Sequence, residues 1–116
     1  MKNEPKTTQI LRYQIFKPLI KNGFPTINSK THVDLPIGCS ILSLEPSAST
    51  GAINLWTVGG SAEKLERRYF MACRTGVELP TEILDCVHVK TISGVHLFEI
   101  PKHLVEAFAE ANTGIA

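Results

Sequence analysis

The sequence predicts a mainly β (α+β) fold: a small antiparallel β-sandwich or open barrel of six to seven strands with a C-terminal α-helix. Three observations carry this. Apolar residues alternate at period two in several short runs separated by Gly, Pro, Asn and Ser. The segments 84–92 and 95–100 flank Ser93-Gly94, the pattern of a tight hairpin. Beyond Pro101, apolar residues recur at helical spacing. With 116 residues, 43% hydrophobic and 20% charged, the chain suits one ordered domain.

Taken in order, residues 1–8 are polar, carry Pro5 and read as a flexible arm ahead of a single domain at 9–116. Residues 9–16 form a strand, with Leu11, Tyr13 and Ile15 on one face and Arg12 and Gln14 on the other. Pro18, Asn22-Gly23, Pro25 and Asn28-Ser29 mark 17–30 as a long loop. Residues 31–35 alternate Thr31, Val33 and Leu35 against His32 and Asp34. Pro36-Ile37-Gly38 turns the chain into a strand at 39–45. Residues 52–58 are apolar on both faces, as a central strand is, and Gly59-Gly60-Ser61 ends them.

Residues 62–66 read as a helical turn or loop. Residues 67–74 form a strand, with Tyr69, Met71 and Cys73 on one face and Arg68, Phe70, Ala72 and Arg74 on the other. Regular hairpin pairing from Ile92 and Val95 groups Val87, Val89 and Thr91 with His96, Phe98 and Ile100. The opposite face then carries Cys86, His88, Lys90, Leu97 and Glu99, with His88 opposite Glu99. Leu104, Val105, Phe108 and Ala111 give a helix at about 102–112 its apolar stripe, and Gly114 stops it.

No apolar run reaches the ~20 residues of a membrane span, and the first 15 residues have no secretory pattern. Cys39, Cys73 and Cys86 are odd in number, form no C-x-x-C and read as reduced, buried thiols in a cytoplasmic protein. Phosphate-loop, H-E-x-x-H, G-x-S-x-G and EF-hand patterns do not occur. Cys86, His88 and Glu99 could converge on a metal only with supporting bonds that the sequence does not offer; an exposed strand face with a His–Glu pair is the favoured reading, so no metal or cofactor is expected. Cys86 and His88 on one strand stand ~7 Å apart at Cα, too far for a nucleophile–base pair. No enzyme is expected. His96 reads as a core histidine with its ring nitrogens satisfied.

The binding residues expected are Arg67, Arg68, Tyr69 and Arg74 on one strand, with His88, Lys90 and Glu99 on the hairpin. Arginines beside an aromatic ring suit a protein partner or a phosphate. The net charge of +1 conceals a pattern. Residues 1–30 hold six bases and one acid; 31–60 hold two acids and no Lys or Arg. Residues 61–76 hold four bases and two acids; 77–116 hold two bases and six acids. Such a chain offers a basic end for an acidic surface or nucleic acid and an acidic end for a basic groove, unless the two pair internally.

Several segments in order carry a resemblance. They are Tyr13, Leu35-Pro36-x-Gly38 with Ile41-Leu42-Ser43, Leu55-Trp56 with Val58, Arg67-Arg68-x-Phe70 running to Thr75-Gly76, and His96-Leu97-Phe98-Glu99. Over residues 9–100 the chain resembles a family of small uncharacterised β-rich proteins carried by bacteriophages and prophages. The 17–30 insert and the tail from 101 are longer than that family's form. The resemblance implies a phage-encoded accessory protein without assigned catalytic residues. The expected function is a non-enzymatic counter-defence inhibitor, anti-CRISPR-like, that binds a host defence protein or ribonucleoprotein complex. The alternatives are an oligomeric sponge for a nucleotide messenger and a phage structural or regulatory subunit. Leu97 and the C-terminal helix are candidate contacts of a homodimer; the protein's own sheet is the favoured cover for Leu104, Val105 and Phe108.

Overall fold

The computed structural model describes residues 7–16, 20–21, 24–25, 29–47, 52–92 and 94–108. Two antiparallel sheets face each other. One has three strands in the order β1 (Ile10–Ile15), β6 (Ile53–Val58), β5 (Ser40–Pro46). The other has four, in the order β4 (Ser29–Ile37), β7 (Ser61–Arg74), β9 (Val95–Ile100), β8 (Val87–Ile92). A two-residue ladder pairs β2 (Ile20–Lys21) with β3 (Phe24–Pro25). The mainly β expectation holds.

The core between the sheets follows from alternation. Ile53 and Leu55 of the central β6 meet Leu35 of β4, Phe70 and Ala72 of β7, and Leu97 of β9. Phe70, Leu35 and Leu55 are fully buried, each worth about 2 kcal/mol as apolar surface removed from water. The other face of the four-stranded sheet is also covered. Met71, Cys73 and Ile100 pack there against Val105 and Phe108, with Leu79 and Ile83 at the margin. Strand β7 is therefore apolar on both faces, with Phe70 and Ala72 turned one way and Met71 and Cys73 the other.

Gly59 and Gly60 carry the chain from one sheet to the other at φ +80° and +84°. A Cβ on Gly60 would lie 2.8 Å from the amide nitrogen of Cys39, so only glycine fits this crossing.

Several expectations need correction. Residues 62–66 continue strand β7: Leu65 sits opposite Pro36, Glu66 opposite Leu35 and Ser61 opposite Ile37, with the register shifting between Pro36 and Ile37. The 17–30 segment is not one loop: it contains the β2–β3 ladder, and β4 already begins at Ser29. The strand expected from 84 begins at Val87, since Thr81–Asp85 winds into a short 3₁₀ helix.

The hairpin departs from regular register. Ile92 does pair with Val95, but β8 bulges between His88 and Lys90, leaving Val89 without a cross-strand partner. Val89 turns inward onto the core, and His88 comes to lie opposite Phe98 instead of Glu99. Leu97, expected on the polar face, is in the core at 1% exposure.

The C-terminal α-helix is not shown: Lys102–Ala107 is a 3₁₀ helix, and Phe108 is already extended. Lys30 supplies a reason. Its buried ammonium donates to the carbonyls of Val105 (3.2 Å) and Phe108 (3.0 Å) and anchors the turn to β4. The expected arm at residues 1–6 and the helix beyond 108 fall outside the described residues. Leu104, Val105 and Phe108 pack on the protein's own sheet, the cover favoured for them over a dimer contact.

Candidate functional site

The outer face of the four-stranded sheet carries a cleft of about 500 Å³. Its walls come from the end of β7, the hairpin and the first 3₁₀ helix. Phe98, Ile83 and Leu79 give it an apolar lining, and Arg74, His88 and His96 are its basic members. Leu84 is 83% exposed on the cleft's lip, and Val77 is also exposed there. A 3₁₀ helix of this length has only one face to bury, and here Ile83 takes it, turning Leu84 to solvent.

A row of hydrogen bonds crosses the hairpin at this cleft. Thr75 Oγ1 donates to the carbonyl of Gly94 at 2.9 Å. The same hydroxyl lies 2.8 Å from His96 Nε2. His96 Nδ1 lies 2.9 Å from Thr91 Oγ1, which lies 2.8 Å from His88 Nε2. The His88 ring meets the Phe98 ring edge-on, centroids 5.2 Å apart. The bulge at Val89 makes this row, because regular pairing would put His88 on the other face. His96 has both ring nitrogens satisfied, as expected, though it is half-buried at a cleft rather than in the core.

The residues expected to bind do not form one surface. Arg74 and His88 both line the cleft. Arg68 and Glu99 meet elsewhere, with Arg68 Nε donating to Glu99 Oε2 at 2.6 Å and Nη2 to Oε1 at 2.8 Å. Arg68 Nη1 also donates to the carbonyl of Cys39. The Glu99 hydrogen bond raises the Arg68 pKa further above its already high value. Arg67 pairs with Asp34 at 3.1 Å on the surface. Tyr69 stands beside His32, ~17 Å along β7 from Arg74. Lys90 pairs with Leu97, on the core side of the hairpin.

Arg67 and Arg68 of β7 are thus paired with acids within the fold. Thr75, Thr91, Val77 and Leu84 were not expected at a site. Nothing in their local sequence marks them, since the bulge and the 3₁₀ helix bring them together.

The thiols near the cleft are protonated near neutral pH. Burial raises Cys73 to about 11, helped by Cys86. Cys86 is raised by burial and by the charge of Asp85, and its Sγ donates to the Glu82 carbonyl. Neither has the depressed pKa of a nucleophilic thiolate. Among the described residues, no three His, Cys, Asp or Glu side chains converge as a metal site. None of the described helices is long and apolar enough to cross a membrane.

No family model, curated protein or solved structure matches this chain. The class defined by its own geometry is a two-sheet β protein with an apolar, histidine-flanked cleft on the outer face of its larger sheet.

Proposed function

We propose that this chain is a non-enzymatic binding protein that docks a partner protein at the cleft beside the β8–β9 hairpin. The observation that carries this is Leu84, 83% exposed on the lip of an apolar cleft. An exposed large apolar side chain beside an apolar depression with a charged rim is the anatomy of a protein-docking surface. Arg74 supplies a cation to the rim. Arg67 and Arg68 already hold Asp34 and Glu99, which favours this reading over a nucleotide sponge built on the arginine strand.

The resemblance to phage-borne proteins supplies the kind of partner, a host defence protein or ribonucleoprotein complex. The test is phage plating on bacteria with an active defence system, CRISPR included, with and without this chain expressed. Restored plating with the wild type, lost in a soluble and folded Leu84→Asp variant, is the expected result. Full defence activity in every system tested with the wild type overturns the counter-defence reading.

A further inference from the structure

The hydrogen-bond row at the cleft has a direction, and the direction specifies the chemistry of a guest. Thr75 has one hydroxyl proton, and it is committed to the Gly94 carbonyl. Thr75 Oγ1 therefore accepts from His96, so the proton of a neutral His96 sits on Nε2. Its Nδ1 then carries a lone pair and accepts the hydroxyl proton of Thr91. Thr91 Oγ1, its own proton used, accepts from Nε2–H of His88. The remaining nitrogen of His88, Nδ1, is left as a lone-pair acceptor with no partner among the described residues.

We propose that the cleft seats an aromatic side chain of the docked partner that carries a hydrogen-bond donor, a tyrosine or tryptophan, and that this donor is given to Nδ1 of His88. The inference rests on the docking reading and names the anchor group. Phe98 stands edge-on to His88, so an aromatic guest extends an aromatic wall. The volume, about 500 Å³, admits such a ring. Amphipathic aromatic anchors in pockets dominate protein interfaces. A carboxylate or a dianionic phosphate monoester brings only acceptors and meets a lone pair at this nitrogen, so the row disfavours it.

The test uses the full chain alone, at pH 8, with ¹⁵N-labelled histidine. Two-bond ¹H–¹⁵N spectra read each tautomer directly, and both His88 and His96 are expected to carry the proton on Nε2. Phenol is then titrated against anisole, which has the same ring and no donor. Phenol is expected to shift His88 and Phe98 and to bind roughly three- to tenfold more tightly. Thr91→Val removes the bridging hydroxyl and is expected to bring phenol down toward anisole.

A proton on Nδ1 of His88, equal binding of phenol and anisole, or stronger shifts from inorganic phosphate overturns the proposal. If Thr91→Val does not fold, the wild-type tautomers and the phenol–anisole ratio decide. No partner is present in these measurements. Their failure alongside an intact Leu84→Asp effect on plating removes the anchor and leaves the docking surface, and the converse removes the docking surface.

Discussion

Arg68 and Glu99 grip each other as a two-pronged fork across β7 and β9, at 2.6 and 2.8 Å, with both side chains at least four-fifths buried. Their strands are neighbours, and Phe70 is paired with Glu99 in register, two residues from Arg68. A fork of this kind is a strong form of ion pair, and here it also ties β7 to Cys39 at the start of β5.

Removing one partner leaves the other charge half-desolvated. Arg68→Met is expected to cost about 2 kcal/mol of unfolding free energy. The double variant Arg68→Met with Glu99→Met is expected to recover part of that loss, since no orphaned charge remains. Urea denaturation of the two single variants and the double variant measures it.

Lys30 is 4% exposed and donates to the carbonyls of Val105 and Phe108. Lys30→Met keeps the stem and removes both donated bonds. The expected cost is about 2 kcal/mol, with faster hydrogen exchange at the Phe108 amide, which bonds to Val105. Exchange unchanged at Phe108 would show that Lys30 does not hold the turn.

Cys73 makes stability fall in alkali. Its folded pKa is about 11 against an ordinary 9.0. The unfolded chain therefore releases this proton first, and the folded state binds more protons between those values. The contribution is full below pH 9 and declines as the pH climbs toward 11, by on the order of 2 kcal/mol. Denaturation at pH 8 and pH 10.5 should show a shallower decline in Cys73→Ala than in the wild type.

Strand alternation was legible wherever one face is buried. The central position of β6 and the Tyr69–Met71–Cys73 face of β7 followed from burial on both sides. Residues 62–66 were not legible, because Glu63, Lys64 and Glu66 have no apolar periodicity and the strand there is held by its pairing with β4. The helical stripe at 104–111 was a real apolar pattern read with the wrong winding. Leu104, Val105 and Phe108 do pack against the sheet, in a 3₁₀ turn anchored by a lysine 75 residues away from Val105. Arg68 and Glu99 stood out as charged residues, but their identity does not say that they face each other.

The sequence by itself determined a mainly β chain, its turn at Gly59-Gly60 and the alternation by which its strands fill the core. Those depend on local periodicity and on glycine's access to positive φ, which each segment carries alone. Only the tertiary structure decided which charges were neutralised, where the C-terminal turn stopped and which face His88 took. Each depends on long-range packing, and the last turns on a single bulged residue, Val89, that packs half-buried against the core and leaves the histidine row at the cleft.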